Sequence, residues 1–249
     1  GGQWGLSMST YMESWNGTDL SIYWVRSHAF TPFLAIDDNY HVPDPVLGGL
    51  TTGGYEKVFA QDQDTYGISV GGLIPGKLGI SFQSELNYRP DFFDTRRCAI
   101  CPAKSSNVLT LLGSMSHSAN YDFLGSDRVS LIFDIQAQKI NKLGSDGRTA
   151  FGSRISAFSW GYIAVVTLDY QDVFANIKIS PSIVWVHDVQ GHEPNAAGGL
   201  SEDEQAISAS VNFSYLSSAS LKFTYSTWLG DNGANYDRDN LSMSFKYNF

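Results

Sequence analysis

Apolar and polar residues alternate one for one along much of this chain. In Leu241-Ser242-Met243-Ser244-Phe245-Lys246-Tyr247-Asn248-Phe249 the odd positions are apolar or aromatic and the even positions polar. Ile207, Ala209, Val211, Phe213 and Tyr215 alternate in the same way with Ser208, Ser210, Asn212 and Ser214. Leu78, Ile80, Phe82, Leu86 and Tyr88 oppose Ser81, Gln83, Glu85, Asn87 and Arg89, and Val129, Leu131, Phe133 and Ile135 oppose Ser130, Asp134 and Gln136. Leu20, Ile22 and Trp24 face away from Ser21 and Tyr23. A period of two is the signature of a strand whose faces meet different surroundings. The pattern predicts about eleven strands, at 3–14, 19–30, 62–74, 78–90, 107–119, 127–140, 156–170, 177–190, 206–216, 220–230 and 240–249. Most are long for a soluble protein and long enough to cross a bilayer at a tilt.

The connections alternate too. Asn16-Gly17-Thr18, Pro75-Gly76-Lys77 and Ser217-Ser218-Ala219 are tight turns, and Tyr121 to Ser126 and Gln171 to Asn176 are slightly longer ones. Between them lie long segments at about 31–61, 90–106, 141–155, 192–205 and 231–239. Short turns at one rim and long loops at the other are the layout of an outer-membrane barrel, turns periplasmic and loops outside. A soluble β-sandwich also alternates; the regular exchange of long loops and short turns, the aromatics near strand ends, and a polar second face in place of a second core favour the barrel. Trp24, Tyr88, Trp160, Tyr170, Trp185, Tyr215, Tyr225 and Tyr247 are placed to form aromatic belts.

The expected fold is therefore all-β, an antiparallel transmembrane β-barrel of the bacterial outer membrane, forming a single domain over 1–249. Single-chain bacterial barrels use even strand numbers. Counting back from a periplasmic Phe249, the first strand here would run downward from outside. The expectation is thus the C-terminal portion of a larger even-stranded barrel, with an N-terminal part missing. Gly1-Gly2-Gln3-Trp4 reads as the middle of something folded rather than as a signal peptide. A terminal Phe on an alternating aromatic strand resembles the signal read by the bacterial barrel-assembly machinery.

Composition narrows the class further. Charged residues are 16% of the 249 positions and aromatics 14%. No window approaches the ~18 consecutive apolar residues of a membrane helix. Lys+Arg 16 against Asp+Glu 25 gives a net charge of −9, which argues against nucleic acid as a partner. The density of Ile, Leu, Val, Tyr and Phe excludes disorder.

Several pieces, in order, resemble the outer-membrane domain-of-unknown-function 1302 family. They are Gly17-Thr18-Asp19-Leu20-Ser21-Ile22-Tyr23-Trp24-Val25-Arg26-Ser27-His28; Asp62-Gln63-Asp64-Thr65-Tyr66-Gly67-Ile68-Ser69 with Glu85-Leu86-Asn87-Tyr88-Arg89-Pro90; the Pro181 to Pro194 segment with Trp185, His187-Asp188-Val189 and Gly191; and Tyr236-Asp237-Arg238-Asp239. The likeness runs from about residue 4 to 249. It implies a longer barrel, similar in fold to long-chain fatty-acid transporters, and a role in handling hydrophobic compounds. It brings no catalytic residue.

The polar strand face supplies the first candidate residues. Gln83, Glu85, Asn87, Arg89, Asp134, Gln136, Asp169, Lys178 and Asp188 are expected to line a lumen, as a solute path or as a polar network that fills it. The 31–61 segment is unusually apolar, so Phe30, Phe33, Leu34, Val46 and Leu47 form a candidate hydrophobic site at the barrel mouth. Cys98 and Cys101 fit a local disulfide, with free thiols or metal and redox chemistry as the alternatives, although zinc would need two more ligands. Asp37-Asp38-Asn39 with Asp44, and Asp231-Asn232 with Asn235, Asp237 and Asp239, are oxygen-rich but lack the EF-hand pattern. No metal or cofactor is expected.

His187 and Asp188 are neighbours on one strand, so they point to opposite faces and form no dyad. No G-x-S-x-G elbow is present, and no enzyme is expected. The expected function is transport of hydrophobic small molecules, with a general diffusion porin and a scaffold subunit of an envelope assembly as alternatives. Expected partners are outer-membrane lipid and lipopolysaccharide, a hydrophobic solute, and proteins of a larger envelope complex.

Overall fold

The computed structural model describes residues 2–29, 33–43, 50–76, 79–93, 105–141, 155–193, 199–216, 218–229 and 238–248. Thirteen strands follow one another: β1 Trp4–Met12, β2 Thr18–Ser27, β3 Phe33–Pro43, β4 Leu50–Val58, β5 Gln63–Leu73, β6 Ser81–Phe93, β7 Ser105–Ala119, β8 Arg128–Asn141, β9 Phe158–Phe174, β10 Ile177–Gln190, β11 Gln205–Tyr215, β12 Ala219–Leu229 and β13 Asn240–Tyr247. Eleven of them form one sheet in the order β1-β2-β5-β6-β7-β8-β9-β10-β11-β12-β13. Neighbours pair antiparallel throughout. β1 and β13 are the edges, so the sheet is not closed.

These eleven strands coincide with those the alternation predicts, to within a few residues at each end. The 31–61 segment departs from its reading as a loop. It contains β3 and β4, which pair with each other as a separate antiparallel hairpin whose register shifts between Asp37 and His41. A hairpin outside the main sheet has no reason to present one uniform apolar face, and its sequence does not alternate cleanly.

Local chemistry explains the tight turns. Asn16 (φ 59°) and Gly17 (φ 75°) take left-handed conformations between β1 and β2. Ala175 (φ 50°) and Asn176 (φ 61°) do so between β9 and β10, the geometry whose twist matches a two-residue hairpin.

The register assigns every strand residue to a face. Leu6, Ile22, Ile68, Leu86, Leu111, Phe133, Val166, Ile183, Val211, Phe223 and Phe245 share the outer face. Many of them are exposed, from 38% for Phe223 to 68% for Leu6 and Phe245. Ser21, Ser69, Glu85, Gln136 and Asp188 share the inner face. A sheet with an apolar exposed face has little core, and the buried cluster Val108, Ile140 and Ile155 with Phe92 is small.

Outward aromatics collect near the two rims. At the long-connection rim Trp24 stands 4.3 Å from Trp4 and 5.7 Å from Tyr66 between ring centroids, and Tyr162 stands 5.3 Å from Trp185. Asp64 ties the first group together, accepting from Trp24 Nε1 at 3.0 Å and from Arg26 at 2.8 and 2.6 Å. Tyr170, Tyr215 and Tyr247 lie near the short-turn rim.

Candidate functional site

The inner face borders an open cavity of about 900 Å³ lined from β2, β5, β6, β7, β8, β9 and β10. Such a volume is typical of a small-molecule site. Two rows of inward residues cross it from strand to strand. One runs Asp19, Gly71, Gln83, Ser114, Asp134, Ile163, Val186, and the next Ser21, Ser69, Glu85, Leu112, Gln136, Gly161, Asp188.

The sequence-predicted lumen residues separate into three groups. Gln83, Glu85, Asp134, Gln136 and Asp188 line the cavity. Asn87 and Arg89 share their face but lie nearer the long-connection rim. Arg89 sits 4.4 Å over the Phe92 ring and donates to Thr110 Oγ1 at 3.4 Å. Asp169 and Lys178 lie at the short-turn rim as an ion pair of 2.9 Å, with Ser180 donating to the same Asp169 oxygen at 2.7 Å. Glu85 and Arg89 do not pair. Glu85 instead accepts from the Tyr23 hydroxyl, whose ring crosses Gly67 on the strand between. A Cβ at Gly67 would lie 2.1 Å from that ring, so glycine is what lets β2 reach β6.

The described residues of the β10–β11 connection, 191–193 and 199–204, turn inward instead of staying outside. Asp188 Oδ2 accepts from Ser201 N at 2.9 Å, and the Asp188 carbonyl accepts from Asp203 N at 2.9 Å. Glu193 is only 6% exposed and accepts from Gln136 Nε2 at 3.1 Å and Ser159 Oγ at 3.4 Å, both inward residues. Leu200 reaches the cavity over Gly161, where an added Cβ would stand 3.0 Å from its side chain.

Sequence reasoning missed Asp19, Tyr23, Glu193 and Leu200. It also missed the apolar inward residues Leu112, Ile132, Ile163, Val165, Val184 and Val186. Alternation cannot reveal the last four, because β9 and β10 are apolar on both faces there. His187 and Asp188 do point apart: His187 lies outward, 3.3 Å from the Tyr162 hydroxyl, and Asp188 inward. His28 Nδ1 accepts from Asp62 N at 3.2 Å, an anchor at a strand end. Phe33 and Leu34 fall on β3, whereas Phe30, Val46, Leu47, Cys98, Cys101 and Phe249 lie outside the described residues.

A family model described as "Protein of unknown function (DUF1302)" matches residues 1–249. The chain belongs to the DUF1302 family. No curated protein matches it. In this DUF1302 member the polar groups gather on the inner face. That face offers carboxylates, amides and hydroxyls beside an apolar strip, a lining suited to binding.

Proposed function

We propose that this DUF1302 protein is a transport protein of the bacterial outer membrane, a β-barrel that binds or passes hydrophobic small molecules. One observation carries the reading. Ile163 and Val186 face each other across β9 and β10 inside the cavity, with Leu200 over Gly161 beside them and Leu112 on β7. A lumen meant only for water and ions has no use for that strip, whereas an apolar solute is stabilised by roughly 25 cal/mol for each Å² it buries there. The outer face supports the membrane setting. Its charged residues among the described strands, such as Arg26, Asp64 and Lys139, lie near a rim, where a charge facing lipid costs little.

The test uses the protein in lipid nanodiscs. Brominated lipid should quench the fluorescence of the outward tryptophans Trp4, Trp24, Trp160 and Trp185. N-phenylnaphthylamine should bind saturably above the level of empty nanodiscs, and Ile163→Ser with Val186→Ser should weaken that binding. Unquenched tryptophans would remove the membrane setting, and quenching without saturable binding would remove the hydrophobic solute. A diffusion porin is the second reading, favoured by the small polar inner residues Ser21, Ser69, Gly71 and Ser81. Steady ohmic current in a planar bilayer would promote it.

A further inference from the structure

The apolar wall is only part of the cavity. Asp19, Glu85, Asp134 and Asp188 also line it, and among the described residues no lysine or arginine does. Two inward cations on strands that line it point elsewhere: Arg89 on β6 lies over Phe92 and donates one amino group to Thr110, its Nε buried without a partner, and Lys178 on β10 pairs with Asp169. Two of the carboxylates are partly used, since Glu85 Oε1 accepts from Tyr23 and Asp188 Oδ2 from Ser201 N. Asp134 is placed differently. It stands directly opposite Ile163, and Val186 follows on the next strand. Neighbouring strands are about 4.8 Å apart, so a carboxylate and an apolar strip lie within the span of one small molecule.

Resting on the transport reading, we infer that this cavity takes an amphiphilic organic cation, an ammonium head on an apolar body. The head sits at Asp134, with Glu85, Asp188 and Asp19 elsewhere on the same lining, and the body lies along Ile163 and Val186 beside Leu200. An anionic amphiphile meets repulsion from the same carboxylates, and a bare inorganic cation leaves the apolar strip unused.

Calorimetric titration of the nanodisc-embedded protein separates these ligands, with octyltrimethylammonium, tetramethylammonium, octanoate and octyl glucoside as probes and empty nanodiscs as the blank. Octyltrimethylammonium should bind saturably and at least about tenfold more tightly than the others, and Asp134→Asn should weaken it about tenfold. Octanoate or octyl glucoside binding as tightly would overturn the cationic head while leaving the hydrophobic-solute reading intact. Tetramethylammonium binding as tightly would overturn the apolar body. Indifference to Asp134→Asn, in protein that the wild-type quenching pattern proves folded, would overturn the placement of the head. No response to any probe would overturn the inference, and N-phenylnaphthylamine binding would then judge the transport reading separately.

Discussion

The inner surfaces of β2, β5 and β6 and of β8, β9 and β10 belong to one sheet but are built from different materials. The first presents Ser21, Ser69, Gly71, Ser81, Gln83 and Glu85, small or polar groups with one large ring, Tyr23, laid across Gly67. The second presents Ile132, Ile163, Val165, Val184 and Val186, interrupted by Asp134, Gln136 and Asp188. Among the described residues, only the second is covered by an infolded connection, through Glu193 and Leu200. The two surfaces meet around one cavity, so its opposite walls differ in polarity. Such a difference is what orients a ligand with two unlike ends.

The comparison depends first on which face is inside. Met243→Lys places a charge on the outer face halfway along β13, where near the bilayer midplane it should cost about 2–4 kcal/mol, while Ser244→Lys on the inner face should cost far less. Folded yield and unfolding in denaturant measure both, and equal losses would dissolve the distinction between faces. A smaller effect is expected within the polar wall. Gly67→Val drives a side chain into the Tyr23 ring and should destabilise by about 1–3 kcal/mol. Adding Tyr23→Ala should recover much of that loss in the same denaturant series, and a strictly additive double variant would mean that the ring does not cross Gly67.

The smallest effect lies outside both walls, at the start of β13. Asp239 accepts from the Tyr225 hydroxyl at 2.6 Å. This bond and one from Thr227 hold its carboxyl below the ordinary value of 3.8. The ionised form is the one favoured by folding, so its contribution is fully present above that value and is lost as pH falls through the lowered one. Tyr225→Phe should therefore unfold slightly earlier than the parent at neutral pH, and the gap should close in acid below the ordinary value. A gap that holds constant with pH would discount the Asp239 contact.

How much of this was legible beforehand follows from the same comparison. β13 and β11 were readable residue by residue, because one face meets apolar surroundings and the other does not. The polar wall was readable for that reason, and Gln83 and Glu85 were found in it. β9 and β10 were recognised as strands, but Ile163 and Val186 were not assigned to the cavity, since Tyr162-Ile163-Ala164-Val165-Val166 is apolar whichever way it faces. Asp188 was readable as inward. Its bond to Ser201 was not, because that contact depends on how a connection folds back and no local periodicity encodes it. The β3–β4 hairpin escaped for a related reason, as strands that pair only with each other need not alternate.

Tyr23 has one more consequence, for how the strands slide. Its ring spans β5 without touching a side chain there only because position 67 has none. If β5 slipped by one residue against β2, Tyr66 or Ile68 would arrive beneath the ring with its side chain on the wrong face of the sheet. A slip of two residues keeps the faces but brings Thr65 or Ser69 under the ring, where even a Cβ does not fit. The phenol and the glycine thus act as a key and keyway. They hold three strands to a single alignment at one point, and every inward and outward assignment along β2, β5 and β6 is indexed from there.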